Sequence, residues 1–148
     1  AGLHTTETTS AEASEETPDR GVYANASNDR GSRALGGAIF KAKADFTHPL
    51  LYGVDKQDSW MPLFKNSNGA LVVPNNPYGS PLVYTEEPLA AGYMHPDSKE
   101  TIAGHAALVV ENSGRGQVII FADNPNFRAF WMGTQRLTVN AVVFGPAL

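Results

Sequence analysis

The sequence contains no cysteine. This absence excludes disulfide bonds, thiol nucleophiles and cysteine-ligated metal sites within the chain. Long apolar segments are also lacking, and unbroken apolar runs such as residues 106–110 and 118–122 are short. A membrane-spanning helix needs roughly 20 apolar residues. The sequence therefore predicts no membrane span.

Basic residues are not in excess either. The net charge is -4, but five of the fifteen acids lie within residues 1–19, which contain no Lys or Arg. Residues 20–148 are close to neutral, with ten acids against eleven Lys and Arg. Phosphate backbones are bound by clustered basic side chains. A nucleic-acid partner is therefore not expected.

The chain divides by composition into two parts. Residues 1–36 form an acidic leader and loop rich in Ser, Thr and Gly, with too little apolar surface to offset the entropy of ordering it. Residues 37–148 hold most of the apolar residues and are predicted to form one α/β domain.

Strand signals dominate the first part of this domain. Residues 37–45 alternate between apolar and charged side chains, which is typical of a half-buried strand. Residues 60–65 form another candidate, which Pro62 keeps at an edge or a strand start. Shorter candidates are residues 71–73, 82–85 and 88–94.

An antiparallel hairpin and a helix are predicted after these strands. Two apolar runs, residues 106–111 and 117–122, are joined by a Gly-containing turn of five residues. Asp123 or Asn124 then caps a helix that has Pro125 in its first turn. Its core-facing stripe comprises Phe127, Phe130, Trp131, Thr134, Leu137, Ala141 and Phe144.

Histidines are the strongest candidates for metal binding or acid–base chemistry. Their spacing includes no pair at i, i+3 or i+4 and no His-x-x-Glu, so a zinc-peptidase pair is missing. A structural or solvent-facing role is favoured for each of the four, which are His4, His48, His95 and His105. No Gly-x-Ser-x-Gly is present. The chain is therefore predicted not to be an enzyme, with a hydrolase using His48 or His105 as a rival.

The most polar cluster lies between the second strand of the predicted hairpin and the predicted helix. It comprises Asp123, Asn124, Asn126 and Arg128, which are candidate ligand-binding residues. The favoured alternative is helix capping together with an Arg128–Asp123 ion pair. An aromatic platform for sugars is a further possibility, although a core position is favoured for most of its members, Tyr78, Tyr84, Tyr93, Phe127, Phe130 and Trp131.

Two longer stretches resemble a known family. They are residues 37–53 (GAIFKAKADFTHPLLYG) and 116–131 (GQVIIFADNPNFRAFW), supported by residues 89–93 (LAAGY) and Asn140-Ala141. Together they resemble the C-terminal region of large bacterial zinc carboxypeptidases of the carboxypeptidase A class, over roughly residues 33–145.

The resemblance implies a fold and a role. It implies the later half of a flavodoxin-like, class I glutamine amidotransferase-like α/β fold without its Cys nucleophile. The expected domain has a strand-rich sheet, mixed or antiparallel, and a C-terminal helix. The chain would then be a non-catalytic accessory domain of an exported carboxypeptidase, with a structural, assembly or substrate-docking role. The alternative is a ligand- or glycan-binding module.

The resemblance also bears on cofactors and partners. Zinc belongs to the catalytic domain of the implied parent, and no cofactor is expected in this chain. The expected partners are the remainder of the parent polypeptide and a second copy of the chain, paired through a sheet edge that the missing half would otherwise cover.

Overall fold

A computed structural model describes residues 21–55 and 59–148 of the chain. The predicted acidic leader falls mostly on residues 1–20, which lie outside the described residues. Residues 21–36, expected to be loop, contain a 3-10 turn at Tyr23–Asn25 and helix α1 at Ala26–Arg33. The loop prediction was wrong for α1, whose composition did not reveal that it packs against a second helix.

Five strands form one curled sheet that has helix α3 packed on it. The strands are β1 (Ala38–Ala44), β2 (Trp60–Lys65), β3 (Leu82–Ala91), β4 (Ala106–Ser113) and β5 (Gly116–Phe121). Their order is β2-β1-β3-β4-β5, and every pairing between neighbours is antiparallel. An α/β, strand-rich domain with a C-terminal helix is therefore confirmed. Of the two expected arrangements, mixed or antiparallel, the sheet is antiparallel, and the resemblance to half of a flavodoxin-like fold is not confirmed.

The alternation in β1 places its apolar side chains in the core. Ala38, Phe40 and Ala42 are buried, whereas Lys43 is exposed. This arrangement confirms the predicted strand and its charged outer face. The neighbouring strand β2 has the predicted bounds and lies at the edge of the sheet, where Pro62 costs no ladder hydrogen bond on its open side.

Strand β3 joins two segments that were predicted as separate strands. Its pairing with β1 shifts register, so that Tyr84 pairs with Ala42 but Leu89 pairs with Phe40. The residues between them bulge out of the ladder, and this bulge accommodates Pro88, which has no N–H to donate. The predicted strand at residues 71–73 is reduced to one bridge between Leu71 and Ala106.

The predicted hairpin is confirmed with a tighter turn. Strands β4 and β5 pair as far as Ser113 and Gly116, so the turn has two residues rather than five. Gly114 has φ +61°, a conformation that glycine adopts without a steric penalty.

Two further helices complete the domain. Helix α2 spans Pro96–Ile102 and was not predicted from the sequence. Helix α3 spans Met132–Phe144 and therefore begins seven residues after Pro125. The intervening residues form a 3-10 turn at Phe127–Ala129, in which Arg128 and Ala129 both have positive φ. These left-handed residues break the helix that the apolar periodicity had predicted.

Helix α3 contacts the 3-10 turn Pro49–Leu51 and strand β2, and it buries polar as well as apolar side chains. Leu137, Thr134 and Asn140 are its buried residues. The Asn140 side chain donates to the carbonyls of Leu50 (2.9 Å) and Tyr52 (2.8 Å). Because these carbonyls lie in and after the 3-10 turn Pro49–Leu51, Asn140 fixes that loop against the helix.

Candidate functional site

The sheet curls far enough for its two edge strands to meet at one end. Lys65 is the last residue of β2, and Asp123 follows the end of β5 by two residues. Their side chains form an ion pair of 2.6 Å between Nζ and Oδ2. The contact thus joins opposite edges of the sheet, and Asp123 belongs to the ligand-binding set predicted from the sequence.

Three side chains donate hydrogen bonds to the Asp123 carboxylate. Oδ2 accepts from Lys65 Nζ and, at 3.0 Å, from the Tyr84 hydroxyl, while Oδ1 accepts from Ser67 Oγ at 2.9 Å. Lys65 Nζ also donates to the carbonyl of Gly69 and lies 5.2 Å from the centroid of the Tyr84 ring. These four side chains are called the Asp123 cluster below.

Burial removes the charged groups of this cluster from water, which costs free energy unless they are paired. The Lys65 side chain has 0% exposure and that of Asp123 has 10%. A charge removed from water is tolerated when it is paired and its remaining hydrogen-bonding capacity is satisfied. Burial, reinforced by the charge of Asp123 and the hydrogen bond to it, raises the pKa of Tyr84 well above its usual range. The tyrosine therefore stays a neutral donor to the carboxylate.

The space beside the cluster is very small. A cavity of about 20 Å³ is bordered by Tyr84, Asp123 and Thr134 and by apolar core residues that include Leu82 and Leu137. This volume suits about one water molecule. The cluster therefore offers no room for a substrate in this conformation, and its geometry suits closure of the sheet.

The other predicted site residues lie in the turn after Asp123. Asn124 Oδ1 accepts from the backbone N–H of Asn126 at 2.9 Å, and Asn126 Nδ2 donates to Thr138 Oγ1 at 3.0 Å. Arg128 is exposed, with its guanidinium 5.2 Å from the Phe127 ring centroid. The alternative Arg128–Asp123 ion pair was wrong, because Lys65 occupies that position.

Two of the four histidines act as backbone caps. His48 Nδ1 accepts from the N–H of Leu50 at 3.2 Å, and His95 Nδ1 accepts from the N–H of Asp97 at 3.3 Å. Each precedes a proline that opens a helical turn, so the two His-Pro pairs have the same local role. Burial lowers the pKa of His48, with Asp45 opposing that effect. His105 contacts the carbonyl of Ala103, and His4 lies outside the described residues.

The six aromatic candidates lie in different surroundings, although ring contacts connect Phe127 to Phe130 and Phe130 to Trp131. Tyr84 is buried, whereas Tyr78, Tyr93 and Phe130 are exposed. Phe127 stacks on Phe64 at 4.4 Å between ring centroids. The prediction that most of these residues lie in the core was therefore wrong.

The sequence reasoning missed Lys65, Ser67 and the hydrogen bond of Tyr84. A signal for Lys65 was present: with a period of two, it shares the face of β2 that carries Met61 and Leu63. A lysine on a buried face needs a counter-ion. No local pattern identified Asp123 as that partner, since the two residues are 58 positions apart.

Within residues 21–55 and 59–148, no three His, Asp or Glu side chains are grouped so that they could hold a metal ion. The part of the chain that the structure describes also contains no helix long and apolar enough to cross a membrane. No family model, curated protein or solved structure was found to match this chain.

Proposed function

We propose that this chain is a non-catalytic accessory domain of an exported zinc metallocarboxypeptidase, with a role in assembly of the larger protein. The parent would remove C-terminal residues from peptides with zinc held in a separate domain. This chain would contribute contact surface rather than reacting groups. The resemblance of residues 37–53 and 116–131 to that family motivates the proposal.

One structural observation carries the assembly role. Helix α3 exposes three valines: Val139 at 51%, Val142 at 73% and Val143 at 60%. They are neighbours on the helix surface, while Leu137 and Asn140 are buried against the rest of the domain. Clustered exposed apolar side chains mark surfaces that pack against a partner. The occupant proposed for this valine face is the remainder of the parent polypeptide.

The Asp123 cluster supports a role without chemistry. Its carboxylate accepts from three donors, its lysine is sealed from solvent, and the adjoining cavity holds about one water molecule. The polar groups at this end of the sheet therefore stabilise the domain in which the valine face is presented.

The parentage and the contact are tested separately. The reading frame upstream of Ala1 should encode a His-x-x-Glu followed by a distant His. A complete upstream frame without these residues would contradict the proposed parentage. In the full-length protein, Val142→Glu should lower the melting temperature and increase proteolysis between this domain and the rest. The matched control is Val72→Glu, which places the same charge at an exposed valine outside α3.

The same variants in the isolated chain separate folding from docking. Val142→Glu should leave its free energy of unfolding within about 0.5 kcal/mol of the original, because a surface substitution removes no core contact. Equal effects of Val142→Glu and Val72→Glu in the full-length protein would contradict docking through α3. A valine-dependent dimer of the isolated chain, seen by light scattering, would identify a second copy as the occupant instead.

Two finer parts of the proposal depend on the resemblance. The chain would be the later part of a flavodoxin-like, glutamine amidotransferase-like domain, and a homodimer would pair through a sheet edge. The antiparallel pairing of the described strands does not support the flavodoxin-like part of the proposal. The edges through which a homodimer would pair are strands β2 and β5. A structure of the longer polypeptide would test the first, and the mass in solution would test the second.

A ligand- or glycan-binding module is the second candidate function. Its supporting observation is backbone strain: Arg128 and Ala129 have φ values of +50° and +54°. Consecutive non-glycine residues in this region are costly and occur often at functional sites. Here they present an exposed Arg128 beside Phe127. A ligand of this site would raise the melting temperature in a glycan or small-molecule screen, and Arg128→Ala would abolish that shift.

A further inference from the structure

A second concave region lies between the first turns of α3, strand β2 and the residues after the 3-10 turn Pro49–Leu51. It has a volume of about 430 Å³, compared with about 20 Å³ beside the cluster. Small-molecule sites typically occupy about 300–1,000 Å³. This cleft is therefore large enough for an organic ligand.

Most side chains that line the cleft are apolar, whereas Asp55 and Arg136 are charged. Trp60, Met61 and Pro62 come from β2, and Met132 comes from the first turn of α3. An aromatic ring and thioether side chains favour an apolar, polarisable group. Apolar lining with few polar groups is the usual composition of a ligand pocket.

Arg136 supplies a cation to the cleft. It lies one helical turn after Met132, so that the two side chains are neighbours on α3. Among the described residues, no hydrogen bond or ion pair occupies its guanidinium. An arginine available in this way binds a carboxylate through two parallel hydrogen bonds.

Gly53 sets the position of that guanidinium. A Cβ atom built on Gly53 would lie 3.1 Å from Arg136 Nη2 and 3.2 Å from Nε, so the glycine provides the space in which the side chain lies. Gly53 also has φ +73°, which disfavours any side chain there. The loop is fixed in turn by the Asn140 hydrogen bond to the carbonyl of Tyr52. The two walls are thus held together before any ligand binds.

We propose that this cleft binds a small apolar carboxylate, with the apolar group against Trp60 and Met132 and the carboxylate on Arg136. The inference goes beyond the proposed function and does not depend on it. The same chemistry occurs in a free arylalkanoic acid and at the C-terminus of a peptide that ends in an apolar residue. Asp55 also lines the cleft, so probes of both charges are needed to establish the sign of the selectivity.

The test compares three probes of nearly equal size by calorimetry and by protein NMR. They are 3-phenylpropionate, 3-phenylpropan-1-ol and 3-phenylpropylamine. The carboxylate should bind with a Kd at least about tenfold lower than those of the other two, because only it forms charge-assisted hydrogen bonds with arginine. Equal binding of the alcohol, tighter binding of the amine, or failure of the carboxylate to saturate the protein would overturn the proposal.

Variants place the binding in this cleft. Arg136→Gln should weaken binding of the carboxylate at least about tenfold, while Arg115→Gln, at an exposed arginine in the hairpin turn, should leave it unchanged. Gly53→Ala should also weaken it by displacing the guanidinium. Circular dichroism and melting temperature establish that each variant is folded. An unchanged Kd in folded Arg136→Gln would contradict the assignment.

A final arm distinguishes the two sources of the carboxylate. Gly-Gly-Phe with a free C-terminus is compared with its C-terminal amide. Binding of the acid but not of the amide identifies a peptide C-terminus as a ligand of the cleft, whereas binding of 3-phenylpropionate alone identifies a free acid. Equal binding of peptide acid and amide would contradict a carboxylate site.

Discussion

Lys65 on strand β2 and Arg136 on helix α3 are both cations, yet their surroundings differ. Lys65 is sealed from solvent and engages Asp123, the Gly69 carbonyl and the Tyr84 ring. Arg136 is exposed and lies over Gly53 at the edge of an open cleft. A buried charge must have its partner within the fold, because its lost hydration is not otherwise replaced. An exposed charge can keep its hydrogen-bonding capacity for a ligand.

The largest effect should come from breaking the buried pair. Asp123→Ala leaves Lys65 without its counter-ion and should lower the free energy of unfolding by about 3–5 kcal/mol, measured by urea denaturation. The control Glu111→Ala removes an exposed acid from β4 and should cost less than about 0.5 kcal/mol.

A double variant separates the pair from its desolvation. Lys65→Met combined with Asp123→Leu should recover much of the stability that Asp123→Ala loses, because neither charge is then buried. A loss below about 1 kcal/mol in Asp123→Ala would contradict the interpretation of the cluster as the closure of the sheet.

A smaller effect should follow from removing the Tyr84 hydroxyl. Tyr84→Phe deletes one donor to Asp123 and should cost about 1–2 kcal/mol near neutral pH. Because the folded state raises the pKa of Tyr84 above its ordinary value of 10.0, its contribution is complete below pH 10.0 and is lost as the pH rises above it. The variant should therefore lose less stability than the original between about pH 9 and 11.

The control for this experiment is Tyr78→Phe, at an exposed tyrosine. Urea denaturation at several pH values should show the original alkaline dependence in that variant. A similar alkaline slope in Tyr84→Phe and in the original protein would show that the hydroxyl does not carry the effect.

The His48 cap should give a still smaller effect that depends on pH. Burial lowers its pKa below the ordinary value of 6.5, so its neutral form contributes stability above that pH, and the contribution is lost as the pH falls. Protonation also removes the Nδ1 acceptor from Leu50 N–H. His48→Asn keeps a capping oxygen and should remove part of the acid dependence, whereas His48→Ala should cost about 1 kcal/mol near pH 7.

Thermal unfolding at pH 7.5 and 5.5, about one unit on either side of 6.5, measures this difference. If His48→Asn loses as much stability on acidification as the original, another group is responsible for the acid dependence.

The smallest change in stability is expected for Arg136→Gln, within about 0.5 kcal/mol, because no contact of the core is removed. A large loss there would mean that Arg136 is structural and would weaken its contrast with Lys65.

Local patterns predicted the elements that depend on neighbouring residues. The alternation around Phe40 identified β1, and two apolar runs separated by glycines identified the β4–β5 hairpin. The same reasoning failed for the segment from Asn124 to Trp131, where apolar periodicity favoured a helix. Left-handed Arg128 and Ala129 interrupt it, and Phe127 gains a stacking contact with Phe64 on a distant strand.

The candidate site was predicted only in part. Asp123 was selected because it lies where a strand ends before a helix, but Arg128 was weighed as its partner on the basis of sequence proximity. Lys65 is its partner because the sheet curls and brings β2 next to the end of β5. Arg136 and Trp60 were not predicted as site residues, since their relation exists only when α3 is packed beside β2.

The sequence by itself determined which segments alternate, where the hairpin turns and which thiol chemistry is absent, because these properties depend on residue type and short-range periodicity. Tertiary structure alone decided the partner of each charge. Burial makes pairing obligatory for Lys65 and solvent leaves Arg136 available, and burial is a property of the packed sheet and helix rather than of either residue's neighbours in the chain.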